Sequence, residues 1–275
     1  MQIRGINLNV RKQDQGMPLI WAHGLMMNMA AEDQVNWFQW AESPEQIRLI
    51  RYDARGHGDS QSTYHTTDYL WNNLGRDMLA LADACDESRF IAGGASMGCA
   101  TALYAALQAP ERIKALLLVI PPTLWETRAA QGRFYRSMAL AGGLLGGERL
   151  AALSARGLDR MLPDWLVEAE REQLAGLADG IETLKRRTLW HLMRGAAASN
   201  LPPREQLARL TKIPTAIFGW EGDRSHPVSS AEALNALLPQ SSLYIAKDYA
   251  EFKSIPTRMR QFLLDMTASD GHVPV

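Results

Sequence analysis

The chain has 275 residues, of which 47% are apolar and 21% charged, and 29 basic against 30 acidic side chains leave a formal net charge of -1. That length accommodates one large domain with a sizeable core, and the balanced charge gives no argument for nucleic acid or an anionic membrane as a partner. Cys85 and Cys99, the two cysteines, fit no metal-ligand spacing, and neither a basic-then-apolar leader nor a run of about 18 apolar residues is present, so the reading is a cytoplasmic, cofactor-free and metal-free protein that does not enter membranes.

Residues 1–10 alternate loosely and, with the polar turn at 11–16, predict an opening strand or hairpin leading into the apolar run Pro18–Ala22, which ends at His23-Gly24-Leu25. Residues 33–41 read as a short helix, and Ile47–Tyr52 as a strand ending at Asp53-Ala54-Arg55-Gly56-His57-Gly58-Asp59-Ser60. Thr67 is placed to cap a helix over 68–84 with Leu70, Leu74, Met78 and Leu81 on one face. Residues 89–95 form a buried strand that runs through Gly94-Ala95-Ser96-Met97-Gly98 into an Ala-rich helix, and 113–120 are a continuous apolar strand stopped by Pro121-Pro122. From 123 to 210, Arg-, Ala- and Leu-rich helical stretches follow one another without a convincing strand, with breaks at Gly142-Gly143, Gly146-Gly147, Pro163, Gly180 and Pro202-Pro203. The alternation then resumes with a strand over 214–219, a helix with a capping box at Ser229-Ser230-Ala231-Glu232, a strand over 242–246, a helix over 256–266 and a mobile tail at 271–275. Alternating strands and helices predict a parallel sheet covered on both faces. The chain therefore divides into a core of residues 1–122 and 211–275 and a helical cap insertion at 123–210.

A strand passing through G-x-S-x-G into a helix holds a serine on a sharp turn with its hydroxyl exposed, which makes Ser96 the candidate nucleophile. The helix that begins at Met97 directs its free N–H groups and positive dipole end toward an oxyanion formed there. His226, three residues beyond Asp223 and just before Pro227, is a candidate general base, with a loop-bracing histidine as the bland alternative.

On His23-Gly24, Asp53–Ser60, Gly94–Gly98 and Asp223, the chain resembles the α/β-hydrolase family over nearly its whole length. The resemblance implies that fold, a mostly parallel sheet flanked by helices with a cap, and a serine esterase-like activity. It also implies an oxyanion hole from the backbone N–H groups of Leu25 and Met97, and Asp223 as the acid that orients the base. His23 and the 55–58 turn read as supporting structure. One departure stands out: the loop 247–256, where the family carries its histidine, has none, and Glu251 occupies the corresponding position. A carboxylate with the ordinary pKa of about 4.3 is a poor base for a serine hydroxyl. His226, Glu251 and, less suitably, His272 in the tail are the substitutes available.

Trp125, Phe134, Tyr135, Met138, Trp165, Trp190, His191 and Met193 are candidates for an apolar substrate pocket under the cap. The leading reading is a hydrolase that cleaves a small or medium apolar ester, or related acyl compound, through an acyl-enzyme on Ser96. Its alternatives are a degenerate member of the fold that binds without turnover and a cofactor-free lyase-type member. Fold does not decide among them. The sequence leaves the oligomeric state open.

Overall fold

Seven strands form one sheet in a computed structural model that describes residues 1–157 and 161–270. A two-stranded hairpin, β1 (Gln2–Ile3) and β2 (Ile6–Asn7), precedes the sheet. The sheet strands are β3 (Val10–Lys12), β4 (Met17–Ala22), β5 (Ile47–Tyr52), β6 (Phe90–Ala95), β7 (Ile113–Val119), β8 (Thr215–Trp220) and β9 (Ser241–Ala246), in the spatial order β3-β5-β4-β6-β7-β8-β9. Within the seven-stranded sheet β3 pairs antiparallel with β5 and the other pairings are parallel. β6 and β8 are buried at every residue, which is why they read as unbroken apolar runs rather than alternating ones.

The helices, in chain order, are α1 (Met29–Val35), α2 (Trp71–Ala84), α3 (Met97–Gln108), α4 (Arg128–Leu145), α5 (Gly147–Ala155), α6 (Asp164–Glu170), α7 (Gly176–Glu182), α8 (Arg186–Ala198), α9 (Arg204–Leu207), α10 (Val228–Leu237) and α11 (Tyr249–Asp270). One core layer joins α2, α3 and α10 to one face of the sheet through residues such as Leu74, Met78, Leu103 and Leu234; the other seats α11 through Phe252, Ile255 and Met259. α4 to α9 follow one another between β7 and β8 with no strand among the described residues. Glu170 at the end of α6 ties this helical segment down: its buried carboxylate accepts from Trp37 Nε1 at 2.8 Å and Tyr249 Oη at 3.0 Å, with Lys253 Nζ at 3.3 Å. Among the described residues no helix is long and apolar enough to cross a membrane.

Several boundaries differ from the sequence reading. The first helix starts at Met29 instead of 33, because Asn28 Oδ1 accepts the Ala31 N–H, and it ends where Asn36 turns left-handed at φ 50°. Thr67 does not cap α2: residues Thr66–Tyr69 form a 3-10 turn, and the Trp71 N–H is taken by Ser199 Oγ at 3.0 Å. Ser229–Glu232 forms no side-chain cap either, since α10 already starts at Val228, behind Pro227. α4 runs on through Gly142-Gly143, where Gly142 meets the Leu189 side chain, and breaks at Gly146. Gly180 lies within α7 and breaks nothing. α11 begins at Tyr249, seven residues before Pro256, behind a cap made by Asp248. The tail at 271–275 lies outside the described residues.

Candidate active site

The carboxyl ends of three parallel strands, β4 and β6 side by side and β8 beyond β7, supply the site, the usual position for ligands in such sheets. β4 leads into the loop 23–28, β6 into Ser96, and β8 into Asp223. Ser96 sits at φ 52° and ψ -111°, a strained conformation for a residue with a Cβ. The flanking glycines make the turn possible. A Cβ on Gly98 would overlap the carbonyl oxygen of Ala22, and one on Gly94 would overlap the Gly98 backbone.

Three side chains from two strand ends join in one hydrogen-bonded chain. His226 Nε2 lies 2.8 Å from Ser96 Oγ, and His226 Nδ1 lies 2.9 Å from Asp223 Oδ2. With the proton on Nδ1, the imidazole donates to Asp223 and accepts from the Ser96 hydroxyl. The other carboxylate oxygen, Asp223 Oδ1, accepts the backbone N–H groups of Ser225 at 2.8 Å and His226 at 3.0 Å, so a single side chain both closes the turn and aims the ring. Burial works to raise the Asp223 pKa, but the adjacent His226 and the two backbone N–H donors outweigh it and hold the carboxyl below its ordinary value. Such a chain can move the serine proton onto the imidazole while the carboxylate steadies the cation that results.

Met97 follows Ser96 directly, and Leu25 lines the same cavity as Ser96. Met97 is the first residue of α3, where helical N–H groups have no intrahelical partner. Leu25 follows Gly24, a Cβ on which would sit 3.6 Å from Ser96 Cβ. Behind this loop, two buried histidines hold backbone. His23 Nε2 accepts the Ala54 N–H at 2.9 Å, while its Nδ1 is 2.7 Å from the Gly24 carbonyl; His57 Nε2 accepts the Met26 N–H at 3.2 Å, while its Nδ1 is 3.1 Å from the Arg55 carbonyl. Both partner sets specify a neutral ring protonated on Nδ1. Burial, reinforced by His23, pushes the His57 pKa down to about 3.

Ser96, His226 and Leu25 open into a cavity of about 460 Å³ whose walls are overwhelmingly apolar, with Met27, Phe134, Tyr135, Met138 and Ile181 among its lining residues. Of the pocket candidates from sequence, Phe134, Tyr135 and Met138 are on this wall. The others are not. Trp125 lines a separate open cleft of about 550 Å³ with Asn200 and Arg204, its ring under the Arg204 guanidinium at 4.0 Å. Trp190 packs beside Gly143 and Arg194, and His191 Nδ1 is 3.1 Å from Thr66 Oγ1. Trp165 packs against Phe252 with the rings tilted at 55°, and Met193 is fully buried between helices. None of these five lines the cavity at Ser96.

Glu251 also stands apart from Ser96. Its carboxylate accepts the Lys247 N–H at 2.9 Å, and its own N–H goes to Asp248 Oδ1 at 2.9 Å, which makes it part of the start of α11 instead of a stand-in for an imidazole. His272 lies outside the described residues. Sequence reasoning missed Met26, Met27, Met161 and Leu177 on the cavity wall, and the close seating of Gly180 on the loop beside Ser96. Among the described residues no group of three His, Cys, Asp or Glu side chains is arranged to hold a metal ion.

Comparison with known proteins agrees with this architecture. A family model described as alpha/beta hydrolase fold matches residues 17–255. The chain is 32% identical over 127 residues to the dihydrolipoyllysine-residue acetyltransferase component of the acetoin cleaving system of Pseudomonas putida, an alignment covering 46% of this chain and 32% of that relative. The chain thus spans about a third of that relative's length. Among solved structures, it superposes on a thermophilic esterase from Thermogutta terrifontis with a TM-score of 0.77 at 19% identity, covering 96% of this chain and 94% of that one. It superposes on the enol-lactonase from Burkholderia xenovorans LB400 with a TM-score of 0.76 at 19% identity, covering 98% and 99%. At these identities the structural likeness concerns the fold.

Proposed function

The chain belongs to the α/β-hydrolase family, and from that premise we propose that it is a serine hydrolase that cleaves a small or medium apolar carboxylic ester, or a related acyl compound, through an acyl-enzyme on Ser96. The observation that carries the proposal is the Ser96–His226–Asp223 chain, with contacts of 2.8 and 2.9 Å, opening onto an apolar cavity of about 460 Å³. Ser96 Oγ attacks the acyl carbon as its proton passes to His226 Nε2, and the carbonyl electron pair collects on an oxygen facing the N–H groups of Leu25 and Met97. Collapse of that intermediate expels the alcohol, which takes the proton from His226. Water, deprotonated by the same imidazole, then releases the acid and frees Ser96. Each aligned oxyanion donor is worth on the order of 3 kcal/mol because the charge it meets is greatest in the transition state.

The methionines and leucines of the helical segment give the acyl or alkyl portion a dry wall, and we assign residues 123–210 as the cap that closes the cleft. The esterase and enol-lactonase structures lend support at the level of fold. The degenerate-binder reading drew on the lack of a histidine in the loop 247–256, and the imidazole 2.8 Å from Ser96 Oγ supports the hydrolase reading over it.

Activity-based labelling tests the proposal. A fluorophosphonate should label wild type, with the adduct mapped to Ser96 by peptide mass spectrometry, and Ser96→Ala should abolish both labelling and hydrolysis of p-nitrophenyl butyrate. Turnover that survives Ser96→Ala would sink the mechanism.

A further inference from the structure

Met26, inside the loop that carries the Leu25 N–H, adopts φ 63°, a left-handed conformation that a residue with a side chain holds only when its surroundings impose it. The Gly24–Leu25 peptide is fixed first: the Gly24 carbonyl accepts from His23 Nδ1 at 2.7 Å and from the Met27 N–H at 3.1 Å. A trans peptide is planar, so holding that carbonyl in one direction sets the Leu25 N–H in the opposite one. Met26 is then gripped on both sides, through its N–H on one and its carbonyl on the other. On the core side, His57 Nε2 takes the Met26 N–H at 3.2 Å, and its ring is locked by the Arg55 carbonyl and by edge-on contact with His23 at 4.9 Å between centroids. On the cap side, helix α7 presses its backbone onto the loop at Gly180. A Cβ there would overlap the Met26 carbonyl oxygen and approach Met27 Cα to 3.0 Å. Met29, three residues on, is pinned as well, its N–H held by Asp53 Oδ1 at 2.8 Å.

We propose that His57 and Gly180 are positioning residues that clamp Met26 between core and cap and so hold the Leu25 N–H where the oxyanion forms, coupling the seating of the cap to the competence of the site. This rests on the proposed role of the Leu25 N–H as an oxyanion donor. Neither residue touches the substrate. The cap thereby does more than wall the pocket: displacement of α7 from the Met26 carbonyl releases the left-handed turn and turns the donor away from Ser96.

The test uses a pair of inhibitors that differ only in whether they form an oxyanion, 1,1,1-trifluorohexan-2-one and hexan-2-one. The trifluoromethyl ketone accepts Ser96 Oγ at its carbonyl carbon, the C=O electron pair moves onto oxygen, and the serine proton passes to His226; hexan-2-one binds without this addition. In wild type the trifluoromethyl ketone should inhibit at least a hundredfold more tightly than hexan-2-one. In Gly180→Ala and in His57→Phe the ratio of the two inhibition constants should shrink at least tenfold, and ester turnover should lose kcat in preference to raising KM. His57→Gln, which keeps a side-chain acceptor, should recover most of the ratio. A purely structural role would lower melting temperature and leave the ratio intact. Should His57→Phe not fold, Gly180→Ala carries the test, since it shifts a surface helix without emptying the core. A wild-type ratio in folded Gly180→Ala overturns the clamp and leaves the hydrolase reading standing. Absence of discrimination in wild type itself would instead remove the Ser96 reading, and the clamp with it.

Discussion

His57 gives a prediction whose size follows from the structure. Its ring is fully buried, accepts a backbone N–H and has its pKa pushed down to about 3, first by burial and then by the neighbouring His23. In the unfolded chain an ordinary imidazole titrates near pH 6.5. The unfolded state therefore binds the extra proton between about pH 6.5 and pH 3, so this contribution to stability is complete above pH 6.5 and is lost as pH falls toward 3. At 1.36 kcal/mol per pKa unit the full loss is on the order of 5 kcal/mol, and roughly 2 kcal/mol of it falls between pH 7.5 and pH 5. That is a large part of a typical domain stability of about 5–15 kcal/mol. Urea unfolding followed by tryptophan fluorescence at pH 7.5, 6 and 5, on wild type and on His57→Gln, isolates it. The variant starts less stable but has no proton to take up at this position, so its stability should fall more gently, by about 2 kcal/mol less over the interval. Parallel curves for the two proteins would show that His57 is not held neutral by the fold.

Asp223→Asn should lower kcat for ester hydrolysis on the order of a thousandfold or more, since an amide aimed at Nδ1 selects the wrong tautomer of His226; a loss under tenfold, measured by steady-state kinetics, would reduce Asp223 to a turn-former. Because the Asp223 pKa lies below its unfolded value, the stabilisation it contributes is complete above about pH 3.9 and is lost as pH falls through the folded value, so the variant should flatten only the most acidic part of an acid-unfolding curve. Glu251→Gln should keep turnover within about twofold of wild type and cost no more than about 1 kcal/mol in thermal unfolding, as expected for weakening a helix start; a hundredfold loss of activity would return Glu251 to the site.

The fold was legible because its strands are buried on both faces. Phe90–Ala95 and Thr215–Trp220 have no exposed residue, so each appears in the sequence as an apolar run of strand length. The turn at Ser96 was legible for a steric reason, since Gly98 faces the Ala22 carbonyl and tolerates no side chain. Helix starts were less so. Asn28, Ser199 and Asp248 supply the bonds at the starts of α1, α2 and α11, and Ser199 does it from 128 residues away, a contact no local pattern records. The pocket wall was only half legible for a related reason. Periodicity says that one face of a helix is apolar, but Met138 looking onto the cavity and Trp190 packing beside Arg194 carry the same signature in sequence. Which neighbour covers a face is a tertiary fact.

The histidine shows how far a local motif can reach. In Asp223-Arg224-Ser225-His226 the spacing is visible in sequence, but a chemical role needs the ring aimed at a serine 130 residues earlier in the chain. The carboxylate accomplishes that by dividing its two oxygens: Oδ1 binds the Ser225 and His226 N–H groups and closes the turn, which leaves Oδ2 directed at Nδ1. Pro227 then sets the backbone that enters α10. The loop after β9 is built as a helix start, with Asp248 and Glu251 at the cap and Phe252 sunk against Trp220 at 5.1 Å between rings. The loop 247–256 carries no histidine, and the imidazole beside Ser96 is that of His226. A histidine introduced at 251 would weaken that helix start without finding a free carboxylate, since Asp223 already spends both oxygens on the 223–226 turn.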